Sequence, residues 1–117
     1  MVNINTLRQL ALSFPGTEEK PHFEKPSFRV AKKIFATLDI KNNLACIKLS
    51  AIDQDVFAAF DKTIIYPVPN KWGKQGWTFV NLKKVQKDMF ADALTTAYMH
   101  VAPEKMSVLI KTGAKDK

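Results

Sequence analysis

Two histidines, one cysteine and eleven acidic residues are the whole stock from which this 117-residue chain could build a metal or acid–base site. Their spacing builds none. His22 and His100 stand far apart with Cys46 between them, so no metal set is expected. Cys46 lies in the apolar run Leu44-Ala45-Cys46-Ile47, where a thiol is ordinarily a small buried hydrophobe and not a nucleophile. Glu18 and Glu19 are adjacent, and in an extended segment they point apart; they do not make the facing carboxylates of acid–base chemistry. No cofactor is expected, and an enzyme ranks third among the readings of this chain.

What remains is binding chemistry. Trp72 stands between Lys71 and Lys74 in a loop, Asn70 to Gly76, flanked by the apolar runs Ile64 to Val68 and Trp77 to Val80. Those runs predict a long hairpin stiffened by Pro67 and Pro69. A Trp beside two lysines can stack on a base while the ammonium groups hold phosphates. It can equally fold back over the sheet edge, which Gly73 and Gly76 would permit. Trp77, in an alternating strand, is expected in the core.

The formal charge of +7 is unevenly spread. Residues 62–87 carry six lysines and no acid, and residues 25–48 carry Lys25, Arg29, Lys32, Lys33, Lys41 and Lys48 against Asp39 alone. Such clusters suit nucleic acid, an acidic protein, or plain solvation. Only two of the eighteen basic residues are Arg, and reading guanine is mainly Arg work; contact with nucleic acid should therefore fall on the backbone with little sequence preference.

The chain length fits one domain spanning residues 1–117. Asn5 or Thr6 is expected to cap a short helix carrying Leu7, Leu10, Ala11 and Phe14, ended by Pro15-Gly16. A polar approach, Thr17 to Phe23, leads to three antiparallel strands: Pro26 to Val30, Ile34 to Leu38 and Leu44 to Leu49. Alternation places Ile34, Ala36 and Leu38 on one face, with Phe35 and Thr37 on the other. Ser50 and Asp53 suggest a capping box opening a second helix, whose stripe is Ile52, Val56, Ala59 and Phe60. After the hairpin, Val85, Met89, Phe90, Ala93, Leu94, Ala97, Tyr98 and Val101 give the strongest helical periodicity in the chain. Met106 to Ile110 is apolar enough to dock, and 111–117 reads as a frayed basic tail. No apolar run approaches the ~20 residues that span a membrane, and the N-terminus has no signal-like pattern, so a cytoplasmic monomer is expected.

His22-Phe23-Glu24-Lys25-Pro26-Ser27-Phe28-Arg29-Val30, Lys33 to Leu38, Pro67-Val68-Pro69 with Trp72-Gly73-Lys74-Gln75-Gly76-Trp77, and Val101-Ala102-Pro103 together resemble the MmcQ/YjbR family of small bacterial proteins. The resemblance runs from about Leu7 to Lys105. It implies an α+β fold, a two-layer arrangement of helices on one face of an antiparallel meander, broadly like frataxin and secretion chaperones, with a double-wing shape proposed to bind DNA. A frataxin-like iron role is argued against by the first helix, Asn5 to Phe14, which has no acidic residue where that fold places its acidic ridge.

The reading is therefore a DNA-binding protein of low sequence specificity, using Arg29, Lys32 and Lys33 on one wing and Lys71, Trp72 and Lys74 on the other. The alternative is a non-enzymatic module that takes a protein or small ligand in a pocket of His22, Phe35, Trp72 and Trp77.

Overall fold

The computed structural model describes residues 1–106 and 108. Helix α1 (Ile4–Ser13) is followed by β1 (Thr17–His22), β2 (Lys25–Val30), β3 (Lys33–Asp39) and β4 (Leu44–Lys48). Helix α2 (Ala51–Ala58), β5 (Ile65–Pro67), the short α3 (Lys71–Lys74), β6 (Trp77–Asn81) and α4 (Lys87–Val101) complete the order. The six strands form one antiparallel sheet in the order β1-β2-β3-β4-β6-β5. This is an α+β fold, as the family resemblance implied. Asn3, not Asn5 or Thr6, caps α1, its side chain accepting from the Thr6 N–H at 2.7 Å. Ser50 caps α2, accepting from the Asp53 N–H at 3.1 Å. Gly16 closes the α1 turn at φ +71°.

One face of the sheet is the core. Helix α4 lays Phe90, Ala93, Leu94, Ala97 and Tyr98 against Phe28, Val30, Ala36, Leu38, Ala45, Ile47 and Val80, all fully buried. The Tyr98 ring packs on Phe14 and Phe35, with centroids 4.8 and 5.5 Å away, and its hydroxyl donates to the Pro15 carbonyl at 2.6 Å. One phenol thereby ties α4 to the end of α1.

Phe35 is a correction. Strict alternation sets it opposite Ala36, yet both are fully buried. Arg29 pairs with Ile34 and Phe28 with Ala36, so Phe35 is the extra residue of a β-bulge. The bulge turns Phe35 inward to Tyr98 and leaves Ile34 and Thr37 on the other face. The Thr17 to Phe23 stretch is also corrected: it is not an approach but β1, paired with β2 over its length.

The two sheet edges are short or polar. Strand β1 reads TEEKPH with Pro21 in it, and β5 has three residues ending in Pro67. In α2 the predicted apolar stripe faces outward, and Gln54 is the residue that α2 buries. Met106 packs on the core, Val108 of the predicted docking segment is exposed, and the rest of that segment (107, 109, 110) and the tail 111–117 lie outside the described residues. Among the described residues no helix is long and apolar enough to cross a membrane.

Candidate functional site

The face that no helix covers presents the alternate residues of each strand. One row crosses it in register: Lys20, Ser27, Thr37, Cys46, Phe79 and Tyr66 are successive cross-strand partners from β1 to β5. Beside it Lys48 pairs with Trp77. Because Thr78 and Val80 take the core face, Trp77 and Phe79 are left half-buried on the open one. Trp77 was expected in the core; the strand is apolar on both faces, and its alternation carries no mark of which is inner.

Of these, Thr37, Cys46, Trp77 and Phe79, with Ile34, floor a cleft of about 880 Å³. Its walls are the two ends of the sheet. At one end α3 stands with Trp72 about half exposed, at 49%. At the other the β1–β2 turn brings His22, Phe23 and Glu24 to the cleft. Phe23 is 91% exposed and sits at φ +59°, the first position of a two-residue hairpin turn that glycine ordinarily takes. A bulky residue held there costs about 1–2 kcal/mol.

Helix α3 is fixed from below. Gln54 of α2 donates from Nε2 to the Gly73 carbonyl at 2.9 Å and to Thr78 Oγ1 at 3.0 Å. Asn70 caps α3, accepting from the Trp72 N–H at 2.8 Å. At Gly73 a Cβ would lie 2.0 Å from the Val68 carbonyl oxygen, and at Gly76, with φ +103°, 1.9 Å from that of Leu49. Both glycines are demanded by close backbone approach. Trp72 therefore does not hang in a free loop; it stands on a seated helical turn and lines the cleft.

Cations rim this aromatic ground. Lys48 Nζ lies 5.3 Å from the Trp77 ring centroid and donates to the Gln75 carbonyl; Lys71 Nζ lies 5.9 Å from the Trp72 centroid. Lys25 pairs with Asp39 at 3.6 Å. The Asn42 side chain and N–H, with Lys25, hold the Asp39 carboxyl below its usual value. Burial pushes the Cys46 thiol up to about 11, against the pull of Lys25. A neutral thiol on the floor is apolar surface, not a nucleophile.

The structure divides the residues that the sequence grouped. The register sets the Val30/Lys33 turn, with Lys32 and Lys33, at the same end of the sheet as Lys48, Trp77 and α3. Both basic wings therefore point from one end. Lys83, Lys84 and Lys87 follow Asn81, whose partner Leu44 marks the opposite end. Arg29 is already engaged, donating to Ser27 Oγ at 3.1 Å and to the Pro21 carbonyl at 3.4 Å. Of the predicted pocket, His22, Trp72 and Trp77 line the cleft, and Phe35 is in the core. Phe23, Phe79, Cys46 and Lys48 were missed as site residues. Period-two alternation from Trp77 would have found Phe79, and from Cys46 would have found Lys48. Among the described residues no group of three or more His, Cys, Asp and Glu is placed to hold a metal.

Fold and site together define an α+β protein whose antiparallel sheet is covered by helices on one face and carries a lysine-rimmed aromatic cleft on the other. The YjbR family model matches residues 12–100, and the chain belongs to that family. Among solved structures it is similar to the Deinococcus radiodurans protein DR2400, described as carrying a DUF419 domain. The two share 20% identity at a TM-score of 0.77, over 90% of this chain and 82% of that one, a likeness of fold alone. Comparison with curated proteins finds no match.

Proposed function

We propose that this protein binds nucleic acid, and DNA in single-stranded form, on the open face of its sheet. The observation that carries the reading is an uncovered sheet face whose cleft is lined by Trp72, Trp77 and Phe79, with the lysines of α3 and of the β2–β3 turn at one end of that sheet. Trp72, Trp77 and Phe79 offer π-faces at the cleft, and Lys71 and Lys74 of α3, with Lys32 and Lys33 at the same end of the sheet, would supply charge for the phosphates. Bases of every kind stack, so sequence preference is weak. A duplex keeps its bases stacked inside and has no use for rings in a cleft; a single strand does.

The test is titration with an oligothymidylate of about 12 nucleotides and with a duplex of equal length, followed by Trp fluorescence. Four lysine–phosphate contacts give a salt slope near −2.8, an affinity loss of about 50-fold between 50 and 200 mM salt. Trp72→Ala weakens the single-strand complex by ~1–3 kcal/mol and leaves the melting temperature nearly unchanged. Salt-independent affinity, or duplex bound more tightly than single strand, refutes the reading.

A second reading is favoured by the cleft being walled at both ends. A volume of about 880 Å³ suits one whole small ligand, here an aromatic anion. A mononucleotide that binds as tightly as the oligomer selects it.

A further inference from the structure

Away from the cleft, α2 turns the wrong side outward for a helix that ends its contacts at the sheet. Ile52 and Val56 of α2 are 76% and 53% exposed, a step of four apart, and Phe60, just past the α2 C-cap Ala59, is 66% exposed, while Gln54 on the opposite side of the helix is buried. At 100° per residue Asp53 and Asp55 flank that stripe on its two sides. Phe60 continues the stripe into a groove of about 550 Å³ between the end of α2 and the start of α4, floored by Phe57, Ile64 and Met89. Asp61, Asp88 and Asp92 rim the groove, with Lys84 the one cation in its lining. A chain of charge +7 thus keeps five of its eleven acidic residues around one exposed apolar ridge.

We propose that this ridge and groove are a docking site for a basic amphipathic helix of another protein, its apolar stripe on Ile52, Val56 and Phe60 and its Lys or Arg flanks on the aspartates. Helix-in-groove recognition reads anchors at such spacing, and the charge pattern selects the occupant. A second copy placed by a twofold axis would set Asp53 and Asp55 against themselves, a like-charge contact that disfavours it. A head-to-tail copy would need an exposed apolar stripe flanked by lysines. Among the described residues α1 exposes one large apolar side chain, Leu12, α3 one, Trp72, α4 none, and Val108 beyond α4 is a single one, so no helix among them presents a stripe. The site is independent of the open-face cleft.

The test uses a fluorescent peptide of roughly 18 residues, five helical turns, with Leu at helical spacing and Lys on the flanks, against the same peptide with Glu for Lys. Since the protein is itself cationic, general electrostatics oppose the Lys peptide, and its binding reports the local acidic patch. The expected result is that the Lys peptide binds and the Glu peptide does not. Val56→Ser with Phe60→Ser weakens the complex about tenfold or more, and Asp55→Asn weakens it less, all with unchanged melting temperature because these side chains are exposed. Equal binding of the two peptides, or indifference to the double variant, overturns the proposal. So does a dimer in sedimentation equilibrium that the double variant dissolves, since the occupant is then a second copy.

Discussion

Gly73→Ala puts the seating of Trp72 to a direct trial, because helix propensity and packing predict opposite signs for it. In an open helical turn Ala would stabilise by up to about 1 kcal/mol, through propensity and a less flexible unfolded chain. Here the new Cβ would meet the Val68 carbonyl oxygen at 2.0 Å, where real Cβ atoms stay beyond 3.0 Å, so α3 and Val68 must part by at least about 1 Å. The obstacle is backbone and has no rotamer to give. Overpacking of this kind costs ~1–3 kcal/mol, and the movement loosens the Gln54–Gly73 hydrogen bond, worth ~0.5–1.5 kcal/mol more. The net loss is about 2–4 kcal/mol, which in a chain of this size lowers the melting temperature by roughly 10 °C. The assay is paired: thermal unfolding, and Trp fluorescence with and without oligothymidylate. Binding falls as Trp72 leaves its wall, by up to the loss seen for Trp72→Ala. A melting temperature equal to or above that of the parent protein would refute the seating of α3 on Val68, and with it the reading of Trp72 as a positioned ring.

Phe23→Gly relieves the positive φ and removes the exposed ring; it raises stability by about 1 kcal/mol while weakening ligand binding, and a destabilised variant would deny the strain. At pH 8 a Cys46 thiol with its pKa near 11 is about one part in a thousand thiolate, so alkylation is slow. Its rate climbs about tenfold per pH unit up to pH 11, and bound oligonucleotide blocks it; a plateau by pH 9 would contradict the burial of this thiol. That raised pKa also means the contribution of the neutral thiol to stability is complete below the ordinary thiol range and is lost as pH rises through about 11. Leu94→Ala, at the centre of the α4 stripe and fully buried, costs ~2–5 kcal/mol in thermal or urea unfolding. A cost under 0.5 kcal/mol would show that α4 does not close the core.

Long-period signals were legible and two-sided ones were not. The α4 stripe announces its inner face because Phe90, Leu94 and Tyr98 recur while Asp88, Asp92 and His100 hold the other side. The strand Trp77 to Val80 is apolar on both sides, since one side meets α4 and the other makes the cleft; alternation gives the period and withholds the direction. Phe35 was misplaced by one residue of bulge, which no propensity in Lys33 to Asp39 marks. Strand β1 escaped notice because TEEKPH is an edge: its stabilisation comes from pairing with β2 and from Glu19 to Arg8, with oxygen–nitrogen distances of 3.1 and 3.2 Å. In α2 the exposed ridge mimics a core stripe, and the buried residue is a glutamine chosen for its hydrogen bonds to Gly73 and Thr78.

The ends of the sheet limit how this protein can meet others. An incoming chain gains affinity from a sheet edge only through a run of free N–H and C=O groups. Pro21 interrupts that run on β1, where Glu18, Glu19 and Lys20 add charge; β5 offers three residues and ends in Pro67. Both edges thereby disfavour strand addition, whether the visitor is a peptide, a growing fibril or another copy of this chain. Recognition is pushed onto side chains above and below the sheet.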